Sequence, residues 1–122
     1  MNTHIKTTNV TLTDAISEYV TKRLEKIDKL VQDDPTVKCD MELARTTAHH
    51  NKGDVFKAEI HIVGSGINVY SSIEKEDLYA AIDDVRDAVL RELTSTRKKN
   101  ASKIRRGGAA IKNMMKGMWP WK

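Results

Sequence analysis

Residues 56–73 read FKAEIHIVGSGINVYSSI. Phe56, Ala58, Ile60 and Ile62 alternate with Lys57, Glu59 and His61, the period of a strand with one apolar face. Gly64-Ser65-Gly66 follows as a tight connection. Ile67, Val69, Ser71 and Ile73 then resume the same period. Upstream, Val37, Cys39, Met41 and Leu43 alternate with Lys38, Asp40 and Glu42, and His49-His50-Asn51-Lys52-Gly53-Asp54 is a polar turn. Three consecutive strands of this kind predict an antiparallel meander whose apolar face must be covered.

The flanking segments supply the cover. Leu12, Ile16, Tyr19, Val20, Leu24, Ile27, Leu30 and Val31 recur at three- and four-residue spacing, which predicts an amphipathic helix of about five turns. Thr11 or Thr13 caps it, with Asp14 in the first turn. Gln32-Asp33-Asp34-Pro35 ends it, because proline disfavours helical geometry in its predecessor. A second stripe, Leu78, Ile82, Val85, Val89 and Leu93, with Ala81 and Ala88 between, predicts the last helix. No breaker precedes Gly107-Gly108, so that helix is expected to continue to about residue 106. Ahead of the first helix, residues 3–10 with Ile5, Thr7 and Thr8 read as a further strand. The expected fold is α+β in the order β-α-β-β-β-α: one four-stranded sheet with two helices on one face.

Charge divides the 122-residue chain. Residues 97–122 carry nine basic and no acidic side chains, leaving 12 basic against 17 acidic in residues 1–96. A body of net −5 thus precedes an extension of +9, and we expect a domain over 1–96 and a basic extension over 97–122 ending in Trp119-Pro120-Trp121-Lys122. No stretch reaches the roughly 18 apolar residues needed to span a bilayer. The first ten residues lack the charged and apolar regions of a secretory signal. The single Cys39 fits a reducing compartment, and a cytoplasmic protein is expected.

Catalytic and metal signatures are missing from the pattern. Cys39 alternates with apolar neighbours and reads as a packing residue. His4, His49, His50 and His61 have no CxxC or HExxH context. No phosphate-binding glycine motif or nucleophile elbow occurs. Asp77, Asp83, Asp84 and Asp87 fall on a helix, where a solvated face is the default. Neither an enzyme nor a cofactor is expected. The basic clusters carry more information. Lys22, Arg23, Lys26 and Lys29 fall largely on one side of the first helix, interleaved with Glu25 and Asp28. The basic extension attracts a phosphate chain by counterion release, or anionic lipid by the same charge. Residues 111–121 combine Ile111, Met114, Met115 and Met118 with Lys112 and Lys116. They suit a membrane surface, stacking of Trp119 and Trp121 on unpaired bases, or a groove on a partner protein.

Glu76-Asp77-Leu78-Tyr79-Ala80-Ala81-Ile82-Asp83 resembles the signature that opens the last helix of the ribosome hibernation promoting factor and ribosome-associated inhibitor A family. Val10-Thr11-Leu12-Thr13-Asp14-Ala15-Ile16, Tyr19-Val20, Lys26-Ile27 and Arg91-Glu92-Leu93 resemble further family positions, so the likeness covers residues 3–100. It implies a fold similar to the double-stranded RNA-binding domain. It also implies binding to the small ribosomal subunit, against rRNA and neighbouring ribosomal proteins, where mRNA and tRNA are excluded and idle ribosomes are silenced. Arg23, Lys26, Arg91 and Arg97 match family basic positions, and Lys29 matches in part of the family. Ala88 and Ser95 stand where the family commonly has basic residues, and the extension is expected to compensate through Lys98, Lys99, Lys103, Arg105, Arg106, Lys112 and Lys116. With no long linker and second domain after residue 100, the chain resembles the short forms, which lack the long forms' self-contained pairing of ribosomes. A general structured-RNA-binding module and a membrane-associated protein held by the basic tail are the competing expectations, with the membrane reading last.

Overall fold

Period-two alternation becomes hydrogen-bonded strand pairing in the computed structural model, which describes residues 1–32, 34–46 and 53–106, the last ten of these as backbone alone. The elements are β1 (Asn2–Thr8), α1 (Asp14–Leu30), β2 (Lys38–Thr46), β3 (Val55–Gly64), β4 (Ile67–Lys75) and α2 (Leu78–Arg106). The chain divides into two units, Met1–Leu90 and Arg91–Lys122.

β2, β3 and β4 form the antiparallel meander, with Met41 opposite Ile60 and Ile62 opposite Val69. β1 joins the outside of β2 in parallel register, Ile5 beside Met41. The sheet order is therefore β1-β2-β3-β4, mixed at one edge. A parallel neighbour requires a crossover between its strands, and α1 is that crossover. The polar turn at 49–54 lies outside the described residues, Gly53 and Asp54 excepted.

One face of the sheet is dry. Cys39, Met41, Leu43, Ala58, Ile60, Ile62 and Val69 are all buried, as are Val20, Leu24 and Ile27 of α1, Val31 just past its end, and Leu78, Ala81, Ile82, Val85 and Val89 of α2. Both helices thus lay their apolar stripes on the same side. The opposite face carries His4, Lys6, Lys38, Asp40, Glu42, Glu59, His61 and Tyr70. Burial pushes the Cys39 thiol up to about 11, so it is protonated at neutral pH and serves packing, not nucleophilic chemistry.

Local chemistry sets the ends. Thr13 caps α1, its Oγ1 accepting from the Ile16 N–H at 3.2 Å. The helix stops at Leu30, earlier than Pro35 alone would dictate, because Gln32 turns left-handed (φ 59°) behind the Val31 cap. The β3–β4 connection places Ser65 (φ 50°) and Gly66 (φ 79°) in the left-handed region, the geometry of a two-residue hairpin turn that follows the strand twist. Gly64 is required by crowding: a Cβ there would lie 2.6 Å from the Thr36 carbonyl oxygen. Asp34 ties this hairpin to the α1–β2 loop, accepting from the Ser65 hydroxyl at 2.5 Å and from the Thr36 hydroxyl and N–H at 2.7 and 2.9 Å. These bonds, Ser65 first, hold its carboxyl below the usual range.

Candidate nucleic-acid interface

The four basic residues of α1 do not act as one group. A residue advances by about 100° around a helix, so positions 22, 26 and 29 share a narrow stripe while 23 stands apart. Lys22, Lys26 and Lys29 are exposed. Val20, Leu24 and Ile27, on the far side of the same helix, are buried. The core therefore holds the helix with a line of three ammonium groups turned to solvent. Long lysine stems leave those charges free to meet phosphates as point charges.

Arg23 faces α2 instead. Its Nε lies 2.9 Å from Asp83 Oδ1, and its Nη2 donates to the Tyr19 hydroxyl at 3.1 Å. Tyr19 in turn donates to the same Asp83 oxygen at 2.7 Å. The guanidinium carbon sits 4.9 Å from the centre of the Tyr19 ring, within cation–π range. Tyr79 meets Tyr19 edge-on, centroids 4.8 Å apart and planes at 86°, a favoured aromatic geometry. Half-buried Arg23 is thus fixed at the seam between the helices, its pKa raised by the Tyr19 hydrogen bond and then by the charge of Asp83.

The four aspartates expected to be a solvated face are engaged, Asp87 with Arg86 at 2.9 Å. Asp77 accepts from the Ala80 N–H at 3.3 Å and caps α2. Asp83 holds Arg23, and Asp84 pairs with Lys75 at 3.0 Å. Residue typing alone missed Asp83. The four-residue spacing of Tyr79 and Asp83, repeated by Tyr19 and Arg23 on α1, is the signal that points to it.

In the second unit Arg91 is exposed and Leu93 buried. Arg97, Lys98, Lys99, Lys103, Arg105 and Arg106 lie on helical backbone, since α2 runs to Arg106. Lys112, Lys116, Trp119 and Trp121 lie outside the described residues.

Among the described residues no catalytic constellation is assembled. A cleft of about 360 Å³ is lined by Val10, Ile16, Phe56, Tyr79 and neighbours. The charged groups on its wall are occupied, Arg45 by Asp54 at 3.8 Å and Asp77 by its capping bond. His61 shares a hydrogen bond with Asn68 at 2.8 Å, while His49 and His50 lie outside the described residues. Among the described residues no cluster of His, Cys, Asp or Glu is placed to hold a metal, and no helix is long and apolar enough to cross a membrane.

A four-stranded mixed sheet with two helices on one face, one of them edged with lysines, defines a small two-layer α+β domain. Residues 3–101 match the family described as Sigma 54 modulation protein / S30EA ribosomal protein, and the chain belongs to that family. A ribosome hibernation promotion factor from Picosynechococcus is 35% identical over 81% of this chain and 50% of its own, so the chain spans about half of that relative. The ribosome hibernation promoting factor of Escherichia coli K12 is 29% identical over 81% of this chain and 96% of its own. Among solved structures, the N-terminal domain of Thermus thermophilus Protein Y superimposes with a TM-score of 0.64, at 30% identity over 79% of this chain and 99% of that one. A ribosomal subunit interface protein from Coxiella burnetii gives 0.64 at 14% identity over 80% and 99%, a likeness of fold.

Proposed function

We propose that this chain is a cytoplasmic ribosome hibernation factor that binds the small ribosomal subunit and silences translation by filling the mRNA channel and the tRNA sites. Family membership and the relatives' names support ribosome association. The observation that carries the nucleic-acid part is the exposed Lys22–Lys26–Lys29 stripe set opposite the buried face of α1. Such a stripe on a rigid helix neutralises successive phosphates at no cost in folding, and the energy comes from released counterions. Inhibition by occlusion needs no cofactor and no chemistry. It needs a folded body held where mRNA and tRNA would lie, against rRNA and the ribosomal proteins beside it.

In this reading residues 1–96 are the ribosome-binding domain and 97–122 a basic arm. Arg91, Arg97, Lys98, Lys99, Lys103, Arg105 and Arg106 extend the phosphate contacts along α2, with Lys112 and Lys116 beyond and Trp119 or Trp121 stacking on bases. Co-sedimentation with small subunits at low salt tests the proposal, followed by competition with tRNA and mRNA. Comigration that tRNA and mRNA displace is expected. Protein left at the top of the gradient overturns the reading, and equal affinity for arbitrary RNA duplexes replaces it with a general RNA-binding module.

A further inference from the structure

We infer that Asp83 is a positioning residue: it aims Arg23 at RNA by occupying one edge of the guanidinium and leaving the other presented. The inference rests on the proposed ribosome binding and adds a residue to it that carries the wrong charge for RNA contact.

A guanidinium offers five N–H donors on two usable edges. The side edge, Nε with the nearer Nη2 hydrogen, is taken up by Asp83 Oδ1 at 2.9 Å and the Tyr19 hydroxyl at 3.1 Å. Those two acceptors are themselves joined by the 2.7 Å bond from Tyr19 to Asp83. The ring beneath, 4.9 Å from the guanidinium carbon and braced by Tyr79, fixes the plane. The end edge, with one hydrogen each from Nη1 and Nη2, takes no part in these contacts. Its two parallel N–H groups match two oxygens of one phosphate. With 40% of the Arg23 side chain exposed and 35% of Asp83, the pair sits at the surface.

An aspartate this close has two opposed effects on phosphate binding. Its charge repels the phosphate. Its hydrogen bonds remove in advance the rotamer freedom that an unfixed arginine loses only on binding. The ring of three polar contacts over a braced aromatic favours the second effect. A lysine in place of Arg23 keeps the charge but has no second edge to present, so fixing it brings no gain.

The test reads sign. Charge alone predicts that Asp83→Asn tightens small-subunit binding. Aiming predicts that it weakens it, by roughly 2- to 10-fold for one side chain set free, with the salt slope kept because the number of phosphate contacts is unchanged. Tyr19→Phe, which retains the ring and removes the bridging hydroxyl, weakens binding in the same direction and covers the case in which Asp83→Asn folds poorly. In an Arg23→Lys background, Asp83→Asn costs nothing further. Wild-type binding with Asp83→Asn and Tyr19→Phe equal to or tighter than wild type, or a full second loss in the Arg23→Lys background, overturns the inference alone. Absence of wild-type binding overturns the proposed function and this inference with it.

Discussion

Replacing Lys22, Lys26 and Lys29 together by Ala removes three exposed charges from one face of α1. For an interface held by counterion release, log K falls with log salt at about 0.7 to 0.9 per phosphate neutralised. Three lost contacts therefore flatten the slope by about 2 to 3 units. Between 50 and 200 mM salt, this stripe accounts for roughly 20- to 40-fold of the wild-type loss of affinity. Folding is nearly untouched. Glu18 and Glu25 stand four residues before Lys22 and Lys29, favourable spacings of about 0.3 kcal/mol each, and loss of the Lys22–Lys26 repulsion offsets part of that. The assay is small-subunit binding at five salt concentrations, with circular dichroism to verify the fold. Lys6→Ala with Lys38→Ala is the control. Both lysines are exposed on the opposite side of the sheet, so their loss lowers net charge without removing contacts, and the slope stays within about half a unit. A triple variant with the wild-type slope, or a control that flattens it equally, refutes a contact made by this helix face.

Three further outcomes follow from particular residues. Ending the chain after Lys99 removes Lys103, Arg105, Arg106, Lys112, Lys116 and Lys122, and both ribosome affinity and salt slope fall; equal values assign the arm another role. Asp34→Ala lowers the melting temperature at pH 7. Because the Asp34 carboxyl titrates below its unfolded value, its contribution is present above the ordinary carboxylate range and is lost as pH falls through the lowered value. The wild-type and variant melting temperatures therefore converge in acid, and a constant gap contradicts the hydrogen-bonded clamp. Gly64→Ala meets the Thr36 carbonyl at 2.6 Å and destabilises by about 1–3 kcal/mol in urea unfolding; an unchanged midpoint means the loop yields freely.

The meander was legible because burial in β2 and β3 follows the sequence period residue by residue, through Cys39, Met41 and Leu43 and then Ala58, Ile60 and Ile62. Both helical stripes were legible for the same reason. β1 was legible as a strand but not in its place. Ile5 and Thr7 are only half-buried and Thr3 exposed, so its pattern is weak, and its parallel position beside β2 depends on the crossover. The end of α1 was placed correctly but for the wrong cause, because a left-handed Gln32, not Pro35, stops it. At the candidate interface, charge counting found Lys22, Lys26 and Lys29 but grouped Arg23 with them. What separates Arg23 is a contact with Asp83, distant in sequence and brought near only by folding. The segment from 76 to 83 that resembled a family signature divides accordingly. Leu78, Ala81 and Ile82 serve the core, Asp77 the cap, and Tyr79 and Asp83 the seam.

Cys39 is the chain's single cysteine, and its burial gives the molecule an internal clock. The thiol is fully buried in the folded structure, so each alkylation event marks an opening of the strand that carries it. With reagent in excess and closing fast, the labelling rate measures the population of the open form, and at very high reagent it measures the opening rate itself. A partner that binds only the closed form slows labelling by the factor 1 + [L]/Kd. The unmodified protein can therefore report occupancy and stability in a single mass-spectrometric time course.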